Sequence, residues 1–237
     1  MKKMVTCLMA LLLIAACSSA FAGPQPAKKP VGNLGNPGVA PPQSMPYGKS
    51  YSEWSMAWWV YAITTPLDIS PFGYGTDGTV GQSGHVWFLG GTFTGVNTTR
   101  EITIPSGVAL FFPVMDVECS TIETPESGFH GDNEGELRAC AAGWADRQVS
   151  GEFGALFCTV DGVALNNVTQ YRFATPLMHF ILPASPANNN IFGVPLAEGQ
   201  EVYSAGDGVY ILLHPLPVGT HTLEFNSIHY TIHVAPR

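Results

Sequence analysis

Runs in which every second residue is apolar occur through most of the chain after residue 84. The clearest spans 228–234, where apolar residues alternate with His and Thr, which predicts a strand with one buried face. Turn residues separate nearly all of the runs. The pattern predicts further strands at 85–94, 99–104, 108–115, 155–160, 171–174, 178–182, 209–213 and 220–225.

One earlier segment, residues 51–61, has the period of a helix and carries five aromatic side chains. Trp54, Trp58 and Tyr61 fall at i, i+4 and i+7, which places them on one face of a helix. The stripe predicts a helix that packs against a sheet. Glu53 and Trp59 are expected outside the stripe.

A shorter apolar stripe, formed by Leu137, Ala141 and Trp144, predicts a second helix over 136–149. Charged residues make up only 12% of the chain, which also has 26 glycines and 19 prolines. This composition is typical of many short strands joined by turns. We therefore expect a mainly β fold, an antiparallel β-sandwich or jelly roll with one or two packed helices.

The amino-terminal residues predict export. Lys2 and Lys3 precede an apolar run and then the triplet Ala20-Phe21-Ala22, a pattern typical of a secretory signal peptide over residues 1–22. The overlapping run Ile14-Ala15-Ala16-Cys17 resembles a lipobox, so a lipid on Cys17 that anchors the chain to a membrane is a second interpretation. Both interpretations place the mature protein outside the cytoplasm, whether periplasmic, anchored in the outer membrane or extracellular.

Two further regions follow the predicted signal peptide. Residues 23–50 are rich in Pro and Gly and show no hydrophobic period, which predicts an extended tether. Residues 51–237 contain no repeat and no second linker, so we expect a single β-rich domain.

The charge distribution argues against a nucleic-acid partner. Every lysine lies at or before position 49, and the region from Ser50 onward holds five arginines against all 18 acidic residues. Binding to phosphates requires a concentration of positive charge that this region lacks. Cations, neutral ligands and basic partners remain compatible with it.

Three cysteines, Cys119, Cys140 and Cys158, lie in the predicted exported domain. An odd number in an oxidising compartment leaves at least one thiol free or paired between chains. We expect a disulfide between Cys119 and Cys140, since closing that loop is worth about 3 kcal/mol. Cys158 lies beside Phe157 in an apolar strand and is expected to be buried as a small hydrophobic residue.

The stretch from Asp116 to Glu136 contains seven acidic residues and no Lys or Arg. Such charges repel one another, so they either spread into solvent or share a cation. Glycines and oxygen-bearing side chains at 131–136 favour Ca²⁺ among cations, with Asp132, Glu134 and Glu136 as the ligands. The alternative is a solvated acidic loop, because the spacing lacks the full pattern of an EF-hand.

Two patterns that suggest catalysis are weak. Gly81-Gln82-Ser83-Gly84-His85 has His where a serine-nucleophile elbow has Gly, and no strand-to-helix turn is predicted there. His229 and His233 lie four residues apart on a predicted strand, about 13 Å, which is too far to share one metal ion.

Aromatic residues and carboxylates offer two kinds of site. The aromatic residues suit a neutral or carbohydrate-like ligand, and the predicted binding residues are Trp54, Trp58, Trp59 and Trp87. A carboxylate pair, Glu53 with Asp116 or Glu118, would divide the acid and base roles of a polysaccharide hydrolase. The competing interpretation is structural, with the Trp rings in the core and Glu53 capping its helix or paired with Arg100.

Two resemblances bear on function. The run Gly-Thr-His-Thr-Leu-Glu-Phe at 219–225, followed by Tyr-Thr-Ile-His-Val, resembles the closing hairpin of immunoglobulin-like modules in secreted bacterial proteins. That resemblance implies binding or spacing rather than catalysis. The Glu-Trp-x-x-x-Trp-Trp helix and the Gly-x-x-Leu-Phe-Phe-Pro-Val strand resemble features of uncharacterised exported bacterial proteins, which implies no specific activity. We expect an exported binding or structural module, with the hydrolase as the alternative.

Overall fold

The computed structural model describes residues 35–70, 72, 78–91 and 97–237. The two helices are Tyr51–Thr64 (α1) and Glu134–Val149 (α2). The strands are Val86–Phe88 (β1), Thr98–Pro105 (β2), Ala109–Ser120 (β3), Cys158–Val160 (β4), Val163–Ala164 (β5), Arg172–Ala174 (β6), Met178–Leu182 (β7), Gln200–Leu213 (β8), Gly219–Phe225 (β9) and Ile228–Ala235 (β10). The predicted mainly β class with two helices is confirmed. The predicted signal peptide and Cys17 lie outside the described residues.

The strands form two five-stranded sheets. The first has the order β1-β3-β8-β6, with β7 also paired to β8, and the second has the order β2-β10-β9-β4-β5. Most strand pairs are antiparallel, but both sheets are mixed, because β1 pairs parallel with β3 and β2 pairs parallel with β10. The reason is connectivity: β2 leaves for the second sheet between β1 and β3, so no hairpin reverses the chain between those two strands.

The long ribbon of β3 and β8 organises the molecule, because different elements cover its two faces. On one face Phe111 stacks with Tyr210, whose hydroxyl accepts a 3.0 Å hydrogen bond from the Trp59 indole of α1. On the other face Phe112 stacks with Phe225 of β9 at 4.9 Å. The second sheet thus covers one end of that face, and α2 packs against β3 and β8 nearby.

Helix α1 begins with a capping box. Ser50 Oγ accepts a hydrogen bond from the Glu53 amide, and Glu53 Oε2 accepts one from the Ser50 amide at 2.7 Å. Trp54 and Trp58 are buried as the stripe predicts, but the expectation that Trp59 lies off the buried face is wrong, since only 5% of it is exposed. The helix contacts β6, β7 and β8 together, and so it buries a wider face than a single stripe.

Part of the predicted tether packs onto the domain. Val39 and Ala40 are buried, and Val39 forms an isolated β-bridge with Leu213. The Asn36 amide donates to the Asn166 carbonyl at 2.9 Å. These contacts tie residues 36–40 to the compact unit Gly32–Arg237, so the extended description does not hold for them.

The predicted disulfide between Cys119 and Cys140 is confirmed. It joins the end of β3 to α2 across a sequence separation of 21 residues. Cys158 is a free thiol and is buried, as expected, and burial raises its pKa to about 12. Within the described part of the chain, no helix has the length and apolar character needed to cross a membrane.

Candidate functional site

A cavity of about 430 Å³ lies at the edge of β3, beyond the end of β1. Strand β1 pairs with β3 only as far as Phe111, which leaves the following edge of β3 without a strand neighbour among the described residues. Helix α1 and helix α2 approach this edge from the two sides of the sheet. The lining residues are Trp59, Asp116, Val117, Glu118, Glu123, Phe129, Trp144, Gln148, Phe153 and Ile191.

Two of the cavity's three carboxylates come from one face of β3. Asp116 and Glu118 are two residues apart on the strand, so their side chains point to the same side. Each has a glycine opposite it on β8, since Asp116 pairs with Gly208 and Glu118 with Gly206. A Cβ atom on Gly206 would lie 2.9 Å from Trp59 Nε1, so this glycine makes room for the indole.

Asp116 is the least compensated of the three carboxylates. Its Oδ2 atom is buried and has no hydrogen-bond partner among the described residues. Burial raises the pKa of Asp116 to about 7, because the charged form loses its hydration. The side chain is therefore partly protonated at neutral pH.

Burial also raises the pKa values of Glu118 and Glu123, but each of these carboxylates accepts a hydrogen bond from a hydroxyl group. Glu118 is 7% exposed and accepts a hydrogen bond from Ser204 Oγ. Burial, followed by repulsion from Glu123, raises the pKa of Glu118 to about 8. Burial raises the pKa of Glu123 to about 7, although Ser120 donates to it from its amide at 3.2 Å and its hydroxyl at 3.1 Å.

Four aromatic rings complete the walls. Trp59 comes from α1, and Trp144 of α2 stacks with Phe129 at 5.0 Å. The Trp144 indole donates to the Gly128 carbonyl at 2.8 Å, which fixes the ring. Phe153 is 51% exposed and lies at the rim. The arrangement joins apolar ring surface to hydrogen-bond acceptors, which is typical of small-ligand sites.

The structure distributes the predicted ligand-binding tryptophans between the core and the cavity. Trp59 lines the cavity. Trp54 and Trp58 are buried, and their indoles donate to the carbonyls of Pro46 and Leu89, both at 2.9 Å. Trp87 is partly buried in β1 and is not among the lining residues. Packing thus accounts for the aromatic stripe of α1.

The structure does not bring Glu53 to the cavity that Asp116 lines. Glu53 is exposed at the start of α1, where the Ser50 amide and hydroxyl donate to it and lower its pKa. It serves as the cap residue that the structural interpretation expected. Glu118, the other carboxylate considered as a partner for Glu53, lies beside Asp116 on β3 and lines the same cavity.

The three predicted Ca²⁺ ligands have other roles at the start of α2. Asp132 contacts His130 Nε2 at 3.0 Å, and Glu134 pairs with Arg138 at 2.8 Å. Glu136 accepts hydrogen bonds from the Asp132 amide and the Asn133 side chain, both at 2.8 Å. No group of three or more His, Cys, Asp or Glu residues in the described ranges is arranged to hold a metal ion.

Sequence reasoning missed Glu123, Phe129, Trp144 and Phe153 as site residues. One signal in the chain points to the cavity: Asp116 and Glu118 interrupt a strand that is otherwise apolar, and two acids in a buried strand require an explanation. Glu123 and the aromatic residues come from a loop and a helix, so only the tertiary fold shows that they meet these acids.

Comparison of the chain with protein-family models, with curated proteins and with solved structures found no match.

Proposed function

We propose that this protein is an exported binding module that holds a small carbohydrate-like ligand in the cavity beside β3. The observation that carries the proposal is the meeting of three carboxylates and four aromatic rings in one cavity of about 430 Å³. That volume falls within the range of about 300 to 1,000 Å³ typical of ligand sites.

The chemistry of the walls supports a sugar-like ligand. Aromatic rings stack against the apolar faces of sugar rings, and carboxylate oxygens accept hydrogen bonds from hydroxyl groups. Phe153 and Trp144 supply the first kind of surface, and Asp116 and Glu118 supply the second. The buried position of the carboxylates strengthens such hydrogen bonds, because water competes less.

Export is supported by two independent features. The amino-terminal sequence has the pattern of a secretory signal peptide, or of a lipobox ending at Cys17. The disulfide between Cys119 and Cys140 is of a kind that persists in oxidising compartments. We propose a periplasmic, outer-membrane-anchored or extracellular location.

Removal of the rim ring is expected to weaken binding. We expect Phe153→Ala to reduce affinity for N-acetylchitotetraose at least tenfold, measured by calorimetry, because the ring lies over the mouth of the cavity. Phe157→Ala is the matched control, since Phe157 is similarly exposed, at 42%, but does not line the cavity. Equal affinities of the two variants, or no binding of the tetramer by the unaltered protein in either its acetylated or its free-amine form, would contradict the proposal.

A second candidate function, hydrolysis of a polysaccharide, is favoured by the environments of the two β3 carboxylates. Glu118 holds a hydroxyl donor, whereas Asp116 Oδ2 has no partner among the described residues, so the two acids differ in solvation. Their Cα atoms are about 7 Å apart by strand geometry. Carboxyl pairs in glycosidases are separated by about 5 to 9.5 Å.

If the protein is a hydrolase, it will release reducing ends from bound oligosaccharide. Asp116→Asn is then expected to abolish release while binding persists, because the amide cannot supply the proton. A reducing-end assay on the binding mixtures measures this. Absence of release by the unaltered protein, with binding intact, leaves the binding module as the function.

A further inference from the structure

Resting on the proposed function, we infer that the ligand in this cavity carries a protonated amino group, as an amino sugar does. The inference specifies the class of ligand: an aminated rather than a neutral or acetylated sugar. It rests on the charged groups near the three carboxylates and on the hydrogen-bond partners of their oxygens.

The cavity contains acids without a cation of its own. Among the described residues, its lining includes Asp116, Glu118 and Glu123 but no Lys, Arg or His. The partners recorded for the two glutamates are the hydroxyls of Ser204 and Ser120 and one backbone amide. Neutral donors compensate a buried carboxylate only in part, and a cation compensates it far better.

Asp116 supplies the second, independent observation. Its Oδ2 atom is buried without a hydrogen-bond partner among the described residues, and Asp116 is one of the residues that line the cavity. A buried acceptor left unpaired is unfavourable, and more so if it is charged. An ammonium group that enters the cavity would donate to the Asp116 carboxylate and neutralise its charge.

The geometry favours an organic cation over a metal ion. The described residues contain no cluster of three ligating groups close enough to hold a metal. The acids instead share the cavity with the rings of Trp59, Phe129 and Trp144. Aromatic rings near a cation attract it through their electron-rich faces, and they suit a charge borne on a carbon framework.

The charged groups that surround the cavity are otherwise paired. On the β8 side Asp207 pairs with Arg172, which also contacts Asp146 of α2. Arg147 of α2 lies 4.4 Å from the Trp144 ring centroid, but Glu152 already pairs with it. His130 contacts Asp132, and its charge interaction with Glu123 opposes the rise in the pKa of that carboxyl. The buried Tyr210 faces Asp116. Arg147 also lies 4.8 Å from the Phe153 ring centroid, but neither of the two arginines nor His130 is among the described residues that line the cavity.

The test compares two probes that differ at the amino group: the β-1,4-linked tetramer of glucosamine and the same tetramer with every amine acetylated. At pH 7 we expect the amine form to bind at least tenfold more tightly by calorimetry. The advantage should shrink by at least threefold at pH 5.5, because the carboxylates hold protons there. The amine is at least as fully protonated at pH 5.5 as at pH 7, so the probe's own titration does not cause the loss.

Three variants localise the effect. Asp116→Asn is expected to remove most of the amine form's advantage, and Glu123→Gln, at a less buried position, to reduce it in the same direction. Asp68→Asn is the control, since Asp68 is exposed and outside the cavity lining. Melting curves verify that each variant is folded.

The outcomes separate the two proposals. Tighter binding of the amine form that depends on Asp116 supports the inference. Equal or tighter binding of the acetylated form overturns the inference and leaves the proposed function in place. Absence of binding by both probes overturns both.

Discussion

The folded domain is expected to lose stability as the pH rises from 5 to 8. The folded-state pKa of Asp116 is raised from 3.8 to about 7, and that of Glu118 from 4.5 to about 8. Between these limits the folded chain keeps protons that the unfolded chain has released, so unfolding becomes more favourable with rising pH. The stabilisation is complete below about pH 4 and is lost as the pH rises through the folded-state pKa values of about 7 and 8.

The variant Asp116→Asn is expected to reverse part of this loss. At about 1.4 kcal/mol per pKa unit, its shift sets an upper limit of about 4 kcal/mol, and we expect about 2 kcal/mol after local relaxation. For a domain of this size that raises Tm at pH 8 by about 4 to 8 °C. At pH 4, where the acid is protonated, Asp and Asn should differ little. Thermal melts at the two pH values measure both quantities.

Glu53→Gln is the control, because the pKa of Glu53 is shifted in the opposite direction from that of Asp116. The pKa of Glu53 is lowered by hydrogen bonds from Ser50, so its carboxylate stabilises the folded state above the unfolded pKa and loses that effect as the pH falls. Its substitution should give no gain in Tm at pH 8. A lower Tm for Asp116→Asn than for the unaltered protein at pH 8 would show that the ionised form has a favourable environment in the fold.

A methyl group at Gly208 is expected to destabilise the domain strongly. A Cβ atom there would lie 2.6 Å from the Met115 carbonyl oxygen and 2.9 Å from the Asp116 Cα. Both atoms belong to the backbone of β3, so relief requires the paired strands to separate. We expect Gly208→Ala to cost about 3 kcal/mol, a fall in Tm of about 6 to 12 °C in thermal melts.

Gly143→Ala provides the matched comparison. Gly143 lies inside α2, and no atom would come within 4 Å of an added Cβ. Alanine is favoured over glycine in helices by about 1 kcal/mol, so this variant should be more stable than the unaltered protein. Similar changes in Tm for the two alanine variants would contradict the role assigned to Gly208.

Strands can be predicted from the sequence where the alternation of apolar and polar residues matches the burial of their side chains. Residues 228–234 alternate strictly, and β10 follows that alternation with buried and less buried positions. The first half of β8 was not predicted, because Gly206, Asp207 and Gly208 have low strand propensity and interrupt the pattern. Tertiary pairing with β3 supplies the stability that local propensity lacks there.

The site was less predictable because its parts are distant in sequence. The sequence suggests Asp116 or Glu118 as the partner of Glu53, but Glu53 caps α1, and of these three acids only the two on β3 line the cavity. The stripe predicts that Trp59 lies off the buried face of α1. The structure buries Trp59, and this residue also lines the cavity. Periodicity indicates which face of a helix is covered, and it does not indicate what lies at the edge of the covering sheet.

The disulfide has a consequence for when the cavity is completed. Cys119 follows Glu118 on β3, and Cys140 lies one helical turn before Trp144 on α2, so the bond links a carboxylate wall to an aromatic wall. A newly made chain in a reducing compartment lacks this link. The two walls are then fastened covalently only by oxidation, which makes completion of the cavity a step that follows synthesis.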